Sequence, residues 1–285
     1  MPELPEIETI KNDLAVKLLN KKIVQIKVNL PKIVKNPLAG FLKKLINESF
    51  KKVNRRGKLM IFEINKDLFL LIHLRMTGQL IYQEKGVVIA GGHSDTKLDF
   101  SLPGKHTHLY FTFADKSQLF FNDLRQFGYA KLVDKKELDQ TLLRFGVEPL
   151  SADFTLQKLK DLLKNKKRNI KAFLLDQQVI AGIGNIYADE ILFASKVFPL
   201  RRTETLNAKE IADIHTNTKK ILQKAIKYRG TTFNNYVDSE GKKGSFLNFL
   251  QVYQRANKPC LKCKSIIKKI KVAGRGTSLC QKCQK

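Results

Sequence analysis

The period of apolar and polar residues changes several times along the chain, and each change marks an element. Ile7, Ile10, Leu14 and Leu18 recur at helical spacing behind Pro5, so the chain opens on a helix whose first turn carries the acids Glu6 and Glu8. Residues 21–29 then alternate around Ile23, Ile26 and Val28, the period of a half-buried strand. Residues 41–50 suit a short helix. The sequence that follows is β-rich: residues 53–64, a turn at Asn65-Lys66-Asp67, and residues 68–82. A polar, glycine-containing stretch over 83–105 interrupts it, and strand patterns resume at 107–113, 118–121 and 129–133. Beyond residue 134 the texture turns helical, with patterns over 135–145, 155–165, 168–175, 186–194 and 208–229. Asn207 followed by Glu210 gives the last of these a capping-box start. Residues 230–245 have the composition of a loop. The expected fold is α+β and multi-domain. An N-terminal β-sandwich flanked by helices (1–134) leads through a linker (135–150) to a helical domain (151–246) and a cysteine-bearing β-hairpin (247–285).

Charge adds a partner to this outline. The 285 residues hold 53 Lys+Arg against 26 Asp+Glu, a formal net charge of +27, and the excess is spread over the whole chain. A polyanion is the natural partner. Nucleic acid fits better than an anionic membrane, because there is no lipidation signal and no long cationic amphipathic helix with exposed aromatics. The longest apolar run, residues 68–74, contains His73 and is too short to span a bilayer. The acidic N-terminus lacks the apolar core of a secretory signal, so a cytoplasmic protein, nucleoid-associated when bound to DNA, is expected.

Four cysteines in a reducing compartment suit a metal better than disulfides. Cys260-x-x-Cys263 and Cys280-x-x-Cys283, sixteen residues apart, have the spacing of a four-thiolate zinc site, with residues 266–272 and Leu279 as the arms of a hairpin. Four protein ligands leave zinc no open position, so its role is structural. The hairpin tip, Val272-Ala273-Gly274-Arg275-Gly276-Thr277, presents Arg275. A second candidate is Gly182-Ile183-Gly184-Asn185-Ile186-Tyr187-Ala188-Asp189-Glu190, a glycine turn running into a helix, where Asn185 as cap and the outward amides suit an anion.

The first residues carry the most pointed chemistry. If an aminopeptidase removes Met1, Pro2 becomes a free secondary amine. An α-amino group titrates at about 7.7–8.0, against about 10.4 for lysine, and a following helix N-terminus disfavours its charged form further. Such an amine condenses with a sugar aldehyde to an iminium, and Glu3 beside it can move protons. Ordinary helix capping accounts for the same residues when they are taken alone.

The opening Met-Pro-Glu-Leu-Pro-Glu-Ile-Glu resembles that of the bacterial formamidopyrimidine-DNA glycosylase family. Three further strings, in the family's order, are similar too: Arg55-Arg56-Gly57-Lys58, Asn122-Asp123-Leu124-Arg125-Gln126-Phe127-Gly128 and the glycine–helix string at 182–190, followed by the zinc ribbon. The resemblance spans nearly the whole chain. It implies a helix–two-turns–helix domain, a lesion-covering loop over 230–245 and a monomeric base-excision enzyme acting on double-stranded DNA with oxidised purines or abasic sites. It implies Pro2, Glu3, Lys58 and Arg275 as the catalytic set. It also implies His73, Met76, His108, Arg125, Phe127, Asn185 and Arg275 as DNA contacts, with Met76, Arg125 and Phe127 entering the duplex and Arg125 meeting the base opposite the lesion. Two alternatives remain: an endonuclease VIII-like enzyme for oxidised pyrimidines, whose start usually reads Pro-Glu-Gly-Pro-Glu where this chain has Leu4, and a non-catalytic damaged-DNA-binding protein on the same scaffold. The long stretch over 83–105 departs from the family pattern.

Overall fold

Helix α1 (Leu4–Leu18) covers two antiparallel sheets in the computed structural model, which describes residues 1–85, 87–92, 102–164, 166–231 and 245–285. The five-stranded sheet has the order β1 (Ile23–Val28), β7 (Thr107–Phe113), β8 (Gln118–Asp123), β5 (Gly78–Glu84), β6 (Val87–Gly92). The four-stranded sheet has the order β2 (Lys52–Arg56), β3 (Leu59–Asn65), β4 (Leu68–His73), β9 (Tyr129–Asp134). Alternation explains the sandwich. Leu109, Phe111 and Phe113 of β7 and Met60, Phe62 and Ile64 of β3 share one core with Ile7, Ile10, Leu14 and Leu18 of α1. Phe50 lies inside it, 5.1 Å from the Phe62 ring and 6.0 and 6.2 Å from Phe111 and Phe113.

Four boundaries differ from the expectation, each for a local reason. Residues 53–64 are a hairpin: Arg56 pairs with Leu59, and Gly57-Lys58 form the two-residue turn, with Gly57 at φ +55°. Residues 68–82 are two strands in different sheets, broken at 74–77, where Arg75 has φ +52°. Apolar alternation runs through both breaks because the flanking strands face the same core. The stretch over 83–105 is partly strand, since Ile81 pairs with Ala90 and β6 forms the sheet edge. Residue 86 and residues 93–101, His93 included, lie outside the described residues. The first short helix, α2, is Leu38–Leu45, begun after Pro37, and Ser49 and Phe50 form bridges to Lys22 and Leu19.

The chain divides into two compact units, Met1–Leu143 with Tyr228–Leu247, and Arg144–Lys227 with Asn248–Lys285. The first also contains α3 (Lys135–Leu142). The second holds α4 (Leu156–Leu163), α5 (Ile170–Leu175), α6 (Asn185–Ala194), α7 (Ala208–Lys227) and the hairpin β10 (Lys268–Val272) and β11 (Arg275–Leu279). Its helices start where side chains can satisfy their first amides. Thr155 accepts from Lys158 N–H at 3.0 Å, Asn169 from Ala172 N–H at 2.7 Å, and Asn207 and Glu210 cap each other at 2.9 Å. Residues 186–193 of α6 are all buried, as befits a central helix. Residues 228–231, expected with the helices, belong to the first unit because Arg229 pairs with Asp13 at 2.5 Å and Thr231 bonds Glu6. No described helix is long and apolar enough to cross a membrane.

Candidate active site

The start of α1 is built by its own carboxylates. Glu3 is the N-cap, Leu4 the first helical residue, and Glu6 accepts the Glu3 N–H at 2.9 Å in a capping box. Pro2 and Glu3 are both buried. The Pro2 nitrogen therefore lies just ahead of a helix N-terminus, where a positive charge is disfavoured. While Met1 is attached that nitrogen is an amide, and loss of Met1 leaves it a free secondary amine. Glu6 also reaches a distant part of the chain. Its Oε1 accepts Thr231 N–H at 2.8 Å and the Thr231 hydroxyl at 3.1 Å. Gly230, at φ +77°, passes so close that an added Cβ would stand 2.5 Å from Glu6 Oε1. Ser245 N–H donates to Tyr228 O at 3.0 Å and Phe246 N–H to Gly230 O at 3.1 Å. These contacts form the feet of the expected lesion loop, whose residues 232–244 lie outside the described residues.

One end of the four-stranded sheet gathers the remaining candidates of this unit. Arg55 Nε meets Glu8 Oε2 at 2.5 Å, joining α1 to β2 beside the Gly57-Lys58 turn, where Lys58 is 5% exposed. Lys58 falls inside the β-rich stretch 53–64, where it sits in the turn between two strands. His73 ends β4 opposite Leu59 and Tyr129. Its Nδ1 accepts the Arg75 N–H at 3.0 Å, so the ring proton stays on Nε2 as a donor. Burial, then the charges of Arg75 and Lys58, push its pKa down to about 3, and the ring is neutral at working pH. The next turn shows Met76, half-buried. The turn before Tyr129 shows Arg125 and Phe127, which is 55% exposed, with the guanidinium 4.8 Å over the ring. His108 differs from its expected place at a DNA surface. It is 5% exposed, and its Nε2 is 2.7 Å from the Asp123 carbonyl, bracing the 123–128 turn from beneath.

In the second unit Gly184, and not Asn185, is the N-cap of α6. Asn185 is the first helical residue, and its Nδ2 donates to Gly276 O at 2.9 Å, linking helix start and hairpin. Its Oδ1 is buried and has no hydrogen-bond partner among the described residues. Ala273 and Gly274, at φ +49° and +73°, make a two-residue tip, after which the exposed Arg275 opens β11. The four cysteine Sγ atoms lie within 4.8 Å of one another, and Cys263 and Cys280 are 3.4 Å apart. That is too far for a disulfide, near 2.05 Å, and suits thiolates around zinc, whose bonds of about 2.3 Å put sulfurs about 3.8 Å apart.

Family comparisons agree with this layout. The model of the formamidopyrimidine-DNA glycosylase N-terminal domain matches residues 1–130, that of the H2TH domain of the same enzymes residues 145–237, and that of a zinc finger found in FPG and IleRS residues 257–285. The formamidopyrimidine-DNA glycosylase of Pelotomaculum thermopropionicum is 41% identical, over 100% of this chain and 99% of its own length. The chain belongs to the formamidopyrimidine-DNA glycosylase family. Among solved structures, a Lactococcus lactis Fpg mutant in complex with Fapy-dG-containing DNA matches with a TM-score of 0.88 and 35% identity over 100% of both chains. The Lactococcus lactis Fpg bound to abasic-site DNA matches with a TM-score of 0.88 and 35% identity over 99% of both. As in the family's zinc-finger module, the four thiolates hold one structural zinc.

Within this family fold, several residues that build the site escape the sequence pattern. Lys171, fully buried, bonds Asp189 Oδ1 at 2.6 Å and the Thr277 hydroxyl at 2.7 Å, and the other oxygen of Asp189 accepts Ser278 N–H at 2.9 Å. Burial pushes the Asp189 carboxyl up to about 6 even beside that ammonium. Glu190 accepts the amides of Gln251, Val252 and Tyr253, each at 2.9 Å, and burial pushes its pKa up as well. Adjacent acids on α6 thus tie the zinc hairpin and its lead-in to the helix that presents Asn185. The one available signal is a lysine inside the apolar run Ile170-Lys171-Ala172-Phe173-Leu174-Leu175.

Proposed function

We propose that the chain is a bifunctional DNA glycosylase and abasic-site lyase of base-excision repair, acting on oxidised purines such as 8-oxoguanine and formamidopyrimidines through Pro2. The observation that carries this reading is the buried Pro2–Glu3 pair at the head of α1, in a family whose solved members hold Fapy-dG and abasic-site DNA. A damaged nucleotide must leave the stack before its sugar can be reached. Pro2 nitrogen attacks C1′, Glu3 supplies the proton that helps the base depart, and the amine and sugar become an iminium. The C2′ proton is then acidic; its removal expels the 3′ phosphate, and a second elimination expels the 5′ phosphate. Lys58 and Arg275 are the cations assigned to these steps, and His73 offers a neutral Nε2–H to a phosphate. Asn185 and Arg275 are assigned to DNA contacts in the second unit. The net charge of +27 makes affinity fall as salt rises. Such work on the chromosome belongs in the cytoplasm.

Covalent trapping tests the reading directly. The purified protein should have lost Met1 by mass. Borohydride with 8-oxoguanine duplex should add one cleaved strand to its N-terminal peptide. Retained Met1 and no adduct would leave only a DNA-binding protein on this scaffold.

Met76, Arg125 and Phe127 are assigned to the hole left by the extruded nucleotide. Stacking in duplex DNA is worth about 1.4 kcal/mol per step, so Arg125→Ala and Phe127→Ala should each slow excision from duplex by on the order of tenfold or more. Arg125→Ala should also weaken discrimination of the opposite base. Unchanged rates and unchanged opposite-base preference in both variants would remove these residues from the duplex.

A further inference from the structure

The turns that show Met76 and Arg125–Phe127 leave different strands, yet one carboxylate holds both. Asp123 is 1% exposed, and among the described residues the donors to its carboxylate come from these two turns. Its Oδ1 accepts the Thr77 hydroxyl at 2.5 Å and the Arg125 N–H at 3.2 Å, and its Oδ2 accepts the Gly128 N–H at 2.7 Å. The Thr77 hydroxyl, itself buried, also accepts the Arg125 N–H at 3.0 Å. Below, Asp123 N–H donates to His106 O at 3.0 Å and its carbonyl meets His108. Each turn contains a non-glycine residue in the left-handed region, Arg75 at φ +52° and Gln126 at φ +59°, a conformation that persists only where the surroundings impose it. There is little slack on either side. A Cβ on Gly78 would stand 2.4 Å from Leu74 O, and one on Gly128 would stand 2.7 Å from the Phe121 ring.

We propose that the Thr77–Asp123 hydrogen bond couples the two turns, so that Met76 and Arg125–Phe127 enter DNA as one preset unit, with Thr77 and Asp123 as positioning residues for opposite-base discrimination. The proposal rests on the assignment of those three side chains to the duplex. Two independent turns would each lose conformational freedom on insertion, whereas one braced unit has lost it during folding. Discrimination needs the Arg125 guanidinium at a fixed distance from the opposite base. Its main-chain amide is the group that both Thr77 and Asp123 hold. Neither positioning side chain needs to touch DNA.

Thr77→Val removes the hydroxyl and keeps the shape; Thr77→Ser keeps the hydroxyl. Loss of a hydrogen bond to a buried carboxylate should slow excision of 8-oxoguanine from duplex by on the order of tenfold and narrow the preference for cytosine over adenine opposite it. Cleavage of a preformed abasic site, which places weaker demands on insertion, should stay within about threefold, and Thr77→Ser should restore both quantities. A double-mutant cycle on Met76→Ala and Phe127→Ala reads the coupling itself: non-additive in the parent, additive in the Thr77→Val background. If the single Met76 and Phe127 variants excise normally, the assignment to the duplex is wrong. If they are slow but combine additively in the parent, or stay coupled without the hydroxyl, the brace is wrong although the assignment stands. Should Thr77→Val lose its thermal transition, Thr77→Ala interrupts the same bond and takes its place in the cycle.

Discussion

Glu3→Gln is expected to lower the release of 8-oxoguanine by about a hundredfold to ten-thousandfold, the usual range for general acid help, while substantial cleavage at preformed abasic sites survives. Displacing an intact base at C1′ requires a proton for the departing group or the ring oxygen. A preformed abasic site has no base to expel and offers a free aldehyde, so Pro2 reaches the iminium with much less assistance. Glutamine has nearly the shape of glutamate and can occupy the N-cap, but it cannot give up a proton. The cap position supplies its own control, because Glu3 also opens α1. An unchanged thermal midpoint shows that the helix start is intact, and single-turnover rates on the two substrates then isolate the proton. Equal losses on both substrates would assign Glu3 to the eliminations or to the placement of Pro2.

Stripping zinc should weaken DNA binding roughly a hundredfold or more, given that each hydrogen bond to a charged group is worth about 1.5–3 kcal/mol and the hairpin carries Arg275 with several lysines. The thiolates fix the base of a hairpin that has little core of its own. The buried cluster at its base is small (Phe193, Val252, Cys260, Ile267 and Cys280), two of its members are ligands, and the other two ligands, Cys263 and Cys283, pack against it. Lys171 and Asp189 grip the strand after the tip, so a collapsed hairpin also strands a buried ion pair. Far-UV dichroism of the sandwich and helices should change little on chelation, and fluorescence anisotropy with a lesion duplex reads the affinity. Undiminished affinity in the metal-free protein would deny the hairpin its part in binding.

Chemistry is far more legible in the sequence than placement. The cysteine spacing and the opening Pro-Glu depend on residue type and local order, which a sequence displays, and the Asn207–Glu210 cap is local in the same sense. Long-range packing decides the rest. His108 sits in a strand whose apolar neighbours leave open which way an imidazole faces, and the carbonyl it meets belongs to Asp123 on the next strand. The turn at Gly57-Lys58 is hidden because apolar alternation continues through it. Val87–Gly92 reads as part of a polar interruption because its glycines resemble a loop, whereas pairing with β5 makes it an edge strand. Glu6 and Asp123 look in sequence like ordinary solvated charges, and Lys171 shows only as a lysine in an apolar run. Burial beside main-chain donors and a distant partner is what makes them framework.

The feet of the segment at 232–244 are fastened by main-chain hydrogen bonds, Ser245 to Tyr228 and Phe246 to Gly230, with Glu6 steadying one of them. Main-chain bonds are indifferent to what is written between them. Doubling the length of such a closed segment costs only about 0.6 kcal/mol in closure entropy. Natural variation can therefore lengthen, shorten or rewrite these residues while the scaffold and the nucleophile stay as they are. Gly230 and Glu6 mark the border at which that freedom stops, because the close approach of one to the other admits no side chain.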